Sequence, residues 1–168
     1  MEYLIHSRDA LTGALSRVTM LSTLREQQEI IKRQGQSCCL VMVDLDYFKE
    51  INDRHGHQMG DRVLATAVRL FIENLRAYDK VFRYGGEEFL LCLPFTDLDM
   101  GFAMSERLRK VLEAITIDDG KEHLIQVTAS FGLALLEPNK PIEESIEHAD
   151  KALYLAKSEG RNRVRVWK

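Results

Sequence analysis

The stretch Arg83-Tyr84-Gly85-Gly86-Glu87-Glu88-Phe89 is the most informative part of this chain. It lies between two apolar runs, Val81-Phe82 and Phe89-Leu90-Leu91, and its paired glycines can take positive φ angles cheaply, so it predicts the tip of a β-hairpin. Two adjacent carboxylates at such a tip repel one another unless a cation such as Mg²⁺ offsets their charge. Taken alone, the stretch is equally compatible with an ordinary exposed turn that carries solvated acids.

A second acidic cluster follows a predicted buried strand. Residues 40–44 form a short apolar run that ends in Asp44, and further carboxylates, amides and histidines follow as far as Asp61. Carboxylates at the carboxyl end of a central strand commonly hold catalytic divalent metals. A helix cap is the commoner role of a single aspartate in this position, but the acidic hairpin makes a metal site the better interpretation of the two clusters together.

Five motifs, in order along the chain, resemble the signatures of GGDEF-domain diguanylate cyclases. They are Asp9-x-Leu11-Thr12-Gly13-x-Leu15, Asp44-x-Asp46-x-Phe48-Lys49-x-Ile51-Asn52-Asp53, His55-Gly56-His57-x-x-Gly60-Asp61, Gly85-Gly86-Glu87-Glu88-Phe89 and Ala156-Lys157-x-x-Gly160-Arg161-Asn162. The resemblance extends over nearly the whole chain, and several ordered motifs are far more specific than one. Two departures are small: Glu87 replaces the commoner aspartate, and Ser16 stands where asparagine is usual.

Composition restricts the class of protein. With 168 residues, 45% of them hydrophobic and 29% charged, the chain fits one globular domain. A net charge of −3 gives no basic field that would indicate nucleic acid as a partner. No apolar run approaches the roughly 20 residues that span a bilayer, and we expect a cytoplasmic location without membrane insertion. We expect Cys38, Cys39 and Cys92 to be free, buried thiols, and not catalytic ones.

Apolar periodicity predicts helices interleaved with strands. The predicted elements are a helix that ends at Gly35, a strand at 38–44, a helix at 61–75, a hairpin at 80–93, a helix from about 104 to 115, a strand at 125–129 after a turn near Gly120, a helix at 142–156 and a last strand at 164–166. This order predicts an α/β sandwich of ferredoxin-like character, with a central, mainly antiparallel sheet flanked by helices. The family's fold, which is similar to the palm of nucleotide cyclases, agrees.

The resemblance also implies a domain organisation. Residues 8–168 would be the catalytic domain, and residues 1–7 the end of an incoming signalling helix or linker. Family members usually hang from a sensor domain, which we expect to be absent from this chain. Each domain would bind one GTP, so catalysis would require a homodimer whose population the sensor controls.

The implied reaction joins two GTP molecules into cyclic di-GMP and releases two pyrophosphates. Each 3′-hydroxyl attacks an α-phosphate, which requires charge neutralisation and a route for the hydroxyl proton. Two Mg²⁺ (or Mn²⁺) ions in each GTP site can supply both. By the resemblance, Asp44, Glu87 and the Leu45 carbonyl bind metal, and Glu88 binds the second ion. Glu87 is also the candidate for assisting proton removal, so Glu87 and Glu88 are the candidate catalytic residues.

Three residues match the family's base-binding side of the nucleotide pocket. Asn52 and Asp61 match its guanine contacts, and an aspartate can accept from both the N1–H and the amino group of guanine, which adenine cannot offer. His57 is assigned to the same pocket by the resemblance. The alternatives are a turn residue for Asn52, a helix N-cap for Asp61 and a structural role for His57.

A triphosphate needs more positive charge than two metal ions provide. Lys49, Lys157 and Arg161 match the phosphate-side cations of the family, and backbone amides near Phe48, at a strand-to-helix turn, can add donors. From the residues alone, Lys157 and Arg161 would be interpreted as the solvated end of a helix, where cations also suit the dipole.

The motif Arg76-Ala77-Tyr78-Asp79 precedes Gly85 at the spacing of the family's inhibitory R-x-x-D site. Arg76 and Asp79 would therefore bind the product, cyclic di-GMP, and Arg107 would be the secondary arginine that crosslinks two domains. The pattern by itself is weak, because many such pairs are surface ion pairs that contribute little to stability.

Two other classes of function remain open. One is a regulatory module that binds GTP or cyclic di-GMP without turnover, although degenerate family members lose the Gly-Gly-acid-Glu signature that this chain keeps. The other is a cyclase with a different product, against which Asp61 argues because it suits guanine. A purely structural domain would have no use for so many polar residues at one cleft.

Overall fold

The structure is a computed structural model that describes residues 7–168. Its elements in chain order are α1 (Arg17–Gln34), β1 (Cys38–Leu45), α2 (Phe48–His55), α3 (His57–Glu73), β2 (Lys80–Arg83), β3 (Glu88–Pro94), α4 (Leu98–Ala114), β4 (Ile117–Asp118), β5 (Leu124–Ile125), β6 (Ala129–Leu135), α5 (Ile142–Ser158) and β7 (Val164–Val166). The incoming helix or linker expected at 1–7 lies outside the described residues except for Ser7. Within the described part of the chain, no helix is long and apolar enough to cross a membrane.

A five-stranded sheet in the order β2-β3-β1-β6-β7 forms the centre of the molecule. The strands pair antiparallel, except that β7 runs parallel to β6. All eight residues of the central strand β1 are buried, as the continuous apolar run predicted. The predicted α/β sandwich with a mainly antiparallel sheet is confirmed.

Helices cover both faces of the sheet and form two apolar cores. On one face, α1 and α5 pack on alternate residues of the strands, and the core residues include Met20, Leu24, Leu40, Met42, Leu90, Ile146 and Leu153. On the other face lie α2, α3 and α4, with Val41, Val43, Phe48, Val63, Phe71, Leu108 and Leu112. Because side chains of β1 alternate between these cores, its register is fixed, and so is the position of its carboxyl end.

Gly132 lets α5 approach β6 closely. A Cβ atom built at this position would lie 2.2 Å from both the Ala149 carbonyl oxygen and the Leu153 backbone nitrogen, so no side chain fits. The contact sets the distance between α5 and the sheet, and thereby brings Lys157, in the last turn of α5, near the end of β1.

Several predicted boundaries are wrong. The helix predicted at 61–75 is α3, which begins at His57, and a separate short helix, α2, precedes it. The helix predicted from about 104 begins at Leu98, after Asp97 accepts a hydrogen bond from the Met100 backbone nitrogen. The strand predicted at 125–129 is split: β5 pairs only with β4 in a separate two-stranded sheet, and β6 begins at Ala129. The helix end at Gly35 is confirmed by its φ of 70°.

The three cysteines are free and buried, as expected. The Sγ atoms of Cys38 and Cys92 lie 3.6 Å apart between β1 and β3. Burial raises the pKa of the Cys39 thiol, and the neighbouring Cys38 and Asp97 raise it further. The thiols therefore act as small apolar core groups and are poor nucleophiles.

Replacing Gly132 tests the close approach of α5. Gly132→Ala should lower the free energy of unfolding by about 3 kcal/mol, because the added methyl group meets backbone atoms that cannot move aside. Urea unfolding measures this loss. Gly86→Ala is the control, since its Cβ would meet no atom within 4 Å, and it should change stability by less than about 1 kcal/mol. Equal effects for the two variants would contradict the packing argument.

Candidate active site

A cleft of about 180 Å³ opens where β1 ends. Its lining residues are Asp44, Leu45, Asp46, Tyr47, Phe48, Lys49, Glu50, Glu87, Lys157 and Arg161. The antiparallel register places Asp44 opposite Glu88, and the Leu45 backbone nitrogen donates to the Glu87 carbonyl oxygen at 3.3 Å. The end of β1 and the tip of the β2–β3 hairpin are therefore held side by side by main-chain hydrogen bonds.

Asp44 is buried, and only one of its two carboxylate oxygens has a hydrogen-bond partner among the described residues. Its Oδ2 accepts a hydrogen bond from the Lys157 ammonium group, whereas Oδ1 is buried without a hydrogen-bond partner among the described residues. Burial raises the pKa of the Asp44 carboxyl, although the hydrogen bond and charge of Lys157 oppose this. A buried carboxylate oxygen without a donor is costly, so this atom is suited to receive a cation or a donor from a ligand.

Glu87 and Glu88 share the unfavourable environment of Asp44. Burial, followed by the negative charge of Asp44, raises the pKa of both glutamates, while Lys157 acts in the opposite direction. One ammonium group thus faces three carboxylates. This arrangement favours a second cation close to Asp44 and Glu87.

The donor set fits Mg²⁺ bound together with a nucleotide. Within residues 7–168, no three His, Cys, Asp or Glu side chains form a ready-made metal cluster. Mg²⁺ is usually held by one or two carboxylates plus substrate phosphates and water, so Asp44, Glu87 and the nearby Leu45 carbonyl are sufficient. The unpartnered Oδ1 of Asp44 supports the same interpretation.

Cations and a helix start also line the cleft. Lys49, Lys157 and Arg161 all line it, and Phe48 is the first residue of α2. Tyr47 has a left-handed backbone, with φ of 56° and ψ of 33°, and this conformation turns the chain sharply from β1 into α2. The Arg161 guanidinium lies 4.8 Å from the centroid of the Tyr47 ring.

A wider cavity of about 460 Å³ adjoins the cleft. Its lining residues are Phe48, Lys49, Asn52, His57, Asp61, Leu64, Arg83, Gly86 and Glu87. Phe48, Lys49 and Glu87 line both cavities, so the two lie side by side and are together called the groove. The sequence-predicted base contacts line only the wider cavity, Lys157 and Arg161 line only the cleft, and Lys49 lines both.

Asn52 and Asp61 are held on neighbouring helices. Asn52 lies within α2 and Asp61 within α3, whose N-cap is Gly56, so the alternatives of a turn residue and an N-cap are wrong. The Asn52 Oδ1 is buried and has no hydrogen-bond partner in the part of the chain that the structure describes. A Cβ atom at Gly60 would lie 1.8 Å from this oxygen, so only glycine leaves room for it. His57 is exposed at the first position of α3.

An ion pair that sequence reasoning missed supports the hairpin. Arg83 donates through Nη1 to both carboxylate oxygens of Asp9 at 3.0 Å and through Nη2 to the Gly86 carbonyl at 2.9 Å. Burial alone would raise the pKa of Asp9, but hydrogen bonds from Thr12 and Arg83 lower it overall. Asp9 begins the first of the five family motifs, and Arg83 begins the hairpin stretch at 83–89. Nothing in either stretch indicates that the two residues are partners.

The structure brings Arg76 and Asp79 together in the turn before β2. The Arg76 Nη2 atom donates to Asp79 Oδ1 at 3.0 Å and also to the Pro94 carbonyl and the Thr96 hydroxyl. The Asp79 side chain is fully buried. Arg107, on α4, instead donates to the carbonyl of Asn74, just before this turn.

Comparisons with known proteins agree with this geometry. The family model described as "Diguanylate cyclase, GGDEF domain" matches residues 6–163. The chain is 36% identical over 160 residues to diguanylate cyclase DosC of Escherichia coli strain K12, covering 95% of this chain and 35% of DosC. It therefore spans about a third of that relative's length. The chain belongs to the GGDEF-domain family of diguanylate cyclases.

Solved structures show the same fold. Diguanylate cyclase SiaD of Pseudomonas aeruginosa, solved in complex with its activator SiaC, superposes with a TM-score of 0.92 at 40% identity, covering 98% of this chain and 64% of that chain. The GGDEF domain of DgcB from Caulobacter crescentus, solved in complex with c-di-GMP, gives a TM-score of 0.91 at 29% identity, covering 96% and 93%.

The raised pKa of Glu88 predicts a pH-dependent stability. Folding favours the protonated form of this carboxyl, so its charge destabilises the metal-free fold at pH 7, and the effect vanishes below the ordinary pKa of 4.5. Glu88→Gln should raise the thermal midpoint in EDTA by on the order of 2 °C at pH 7, and the gain should shrink as the pH falls. Circular dichroism across pH 4–8 measures this.

The matched control is Glu26→Gln, at an exposed position on α1. It should leave the midpoint unchanged at every pH. A lower midpoint for Glu88→Gln at pH 7, or a gain that does not depend on pH, would contradict the proposed carboxylate repulsion.

Proposed function

We propose that this domain condenses two GTP molecules into cyclic di-GMP and two pyrophosphates. The observation that carries the proposal is the groove, which has carboxylates and cations in the cleft, guanine-type acceptors in the wider cavity, and Lys49 and Glu87 lining both. Membership of the GGDEF-domain family supports the same activity.

Asp44, Glu87 and the Leu45 carbonyl are the groups that would hold Mg²⁺ or Mn²⁺, and Glu88 would contribute to a second ion. When bound, the metal would neutralise phosphate charge and lower the pKa of the attacking hydroxyl. Glu87 lines both cavities, so its carboxylate is also placed to accept a proton from a ribose hydroxyl in the groove.

The cationic side of the groove suits a triphosphate. Lys49 and Arg161 have no carboxylate partner within the described part of the chain, and so their charge remains available to a ligand. Lys157 pairs with Asp44, and its long side chain allows its ammonium group to contact phosphate oxygens beside that carboxylate. The first turn of α2 adds backbone N–H donors from residues near Phe48.

The other end of the groove suits guanine. The unpartnered Asn52 Oδ1 is an acceptor for an N–H group, and the Asp61 carboxylate can accept from two adjacent N–H groups of the base. Adenine offers no such pair of donors, so ATP would leave these acceptors unpaired and bind poorly. His57, which is exposed at the rim, can contact the ribose or the base edge.

Catalysis requires two domains. Each domain has one such groove, and ring closure needs two GTP molecules whose ribose hydroxyls and α-phosphates face one another. We therefore propose a catalytic homodimer, with an N-terminal sensor domain that sets its population. A GTP substrate and buried reduced thiols both suit the cytoplasm.

The dimer requirement predicts the dependence of rate on protein concentration. With GTP and Mg²⁺, cyclic di-GMP formed per domain should rise with protein concentration until the dimer saturates, as measured by chromatography of the nucleotides.

Glu87→Gln should lower turnover on the order of a hundredfold or more, because it removes a charge next to the reacting phosphate. Glu26→Gln should leave the rate unchanged.

Two outcomes would contradict the proposal. A rate strictly proportional to protein concentration down to high dilution would argue against the dimer. Binding of GTP without product, even when a fused coiled coil forces dimerisation, would favour the regulatory module that binds nucleotide without turnover.

The turn before β2 supports feedback inhibition by the product. Arg76 offers a guanidinium to phosphate or to the guanine edge, and Arg107 lies close by on α4. The buried Asp79 carboxylate would accept from a guanine amine only by releasing its hydrogen bonds from Arg76. A cavity of about 170 Å³ that both Arg76 and Asp79 line borders this turn.

Substitution of Arg76 tests the product site. Arg76→Ala should weaken cyclic di-GMP binding at least about tenfold, because a charge-assisted hydrogen bond contributes 1.5–3 kcal/mol in typical cases. Isothermal titration measures the affinity. Arg25→Ala, at an exposed position on α1, is the matched control and should bind the product normally. Unchanged affinity in Arg76→Ala would place the product site elsewhere.

A further inference from the structure

Asp46 is a buried carboxylate at the cleft whose oxygens are already occupied by protein donors. Only 4% of the residue is exposed. Its Oδ1 accepts from the Ser130 hydroxyl at 2.7 Å, and its Oδ2 accepts from the Thr128 hydroxyl at 2.7 Å and from the Asn162 backbone N–H at 3.0 Å. Asp46 thus differs from Asp44, which keeps an oxygen without a partner.

The third of these hydrogen bonds reaches the turn after α5, residues 159–163. This turn contains Arg161 and follows Ser158, the last residue of the helix that carries Lys157. It therefore bears one proposed phosphate-side cation and adjoins the other. Its backbone is unusual, because Gly160, Arg161 and Asn162 have φ angles of 127°, 65° and 47°. Side chains disfavour the left-handed region, so Arg161 and Asn162 need contacts that hold them there.

Those contacts come from two sides. From the sheet, Asp46 accepts from the Asn162 backbone. From α4, Arg109 Nη1 donates to the Asn162 side-chain oxygen at 3.1 Å, and Glu113 accepts from the same side-chain amide. With Asn162 fixed at both its backbone and its side chain, the preceding Arg161 is directed into the cleft, where its guanidinium stacks on Tyr47.

We propose that Asp46 is a positioning residue that holds the turn at 159–163 so that Arg161 and Lys157 face the triphosphate. The inference rests on the proposed function, because it assigns GTP phosphates to the cleft. The proposal also implies that Asp46 does not bind the metal, although Asp46 follows Asp44 in an Asp-x-Asp pattern at the end of β1. To reach a cation, Asp46 would have to release three donors, of which the Ser130 hydroxyl is buried with it.

The test separates the phosphate end of the groove from the base end. The ligands are guanosine and a GTP analogue with a methylene group between the α- and β-phosphorus atoms, which cannot react. Affinities are measured by titration calorimetry in EDTA and again with Mg²⁺. Asp46→Ala should weaken analogue binding about tenfold in both conditions and leave guanosine binding unchanged, and Arg161→Ala should give the same pattern.

Each alternative role gives a different result. An unchanged affinity for the analogue would overturn the proposal. A loss confined to Mg²⁺ would make Asp46 a metal ligand and would overturn it as well. An equal loss for guanosine would show a general effect on packing, with the same consequence. Failure of the unsubstituted domain to bind the analogue at all would instead overturn the proposed function, and this inference with it.

A second variant and a control complete the design. Asp46→Asn keeps the shape of the side chain but offers one acceptor oxygen to three donors, so a smaller loss in the same direction is expected. If circular dichroism shows that Asp46→Ala does not fold, the affinities of Asp46→Asn for the two ligands are judged by the same criteria instead. Asp99→Asn makes the same charge change at an exposed position of α4 and should bind both ligands normally.

Discussion

The repulsion among Asp44, Glu87 and Glu88 is the constraint around which the molecule is arranged. Antiparallel pairing of β1 with β3 forces these carboxylates together, and the two apolar cores leave β1 no freedom to slide. The counter-charge has to come from another element, and it comes from Lys157 at the end of α5. That helix lies close enough only because Gly132 has no side chain. The electrostatics of the cleft thus depend on a packing contact in the core.

Backbone strain is concentrated at the same place. Among the described residues, the non-glycine residues with positive φ are Tyr47, Phe95, Glu122, Arg161 and Asn162, and three of these five lie at or beside the cleft. The local sequence does not favour the left-handed backbone at Tyr47 or at Arg161 and Asn162, so the surrounding structure must hold both turns in place. At Asn162 the enforcing contacts are visible as hydrogen bonds from the sheet and from α4. The strained backbone lowers the stability of the fold, and it directs the side chains that face the groove.

Sequence patterns predicted those helices and strands that a short stretch of sequence determines by itself. The apolar run marked β1, and Gly35 marked the end of α1. The glycine pair marked the hairpin, but the reason given for it is wrong, because neither Gly85 nor Gly86 has a positive φ. The start of α3 was missed because its N-cap, Gly56, provides no side-chain hydrogen bond, and the short polar α2 has too few apolar residues to show a period. The partners of Asp46, and the Asp9 carboxylate that pairs with Arg83, lie more than seventy residues away in sequence, so only the folded register reveals them.

The two proposed ligand sites are joined by one short strand. β2 has four residues; the turn with Arg76 and Asp79 precedes it, and the hairpin with Glu87 follows it. Arg83, the last residue of β2, ties the hairpin to Asp9, just after the segment expected to enter from a sensor. A ligand that bound at the turn would therefore contact a strand that is already attached to the hairpin carboxylates.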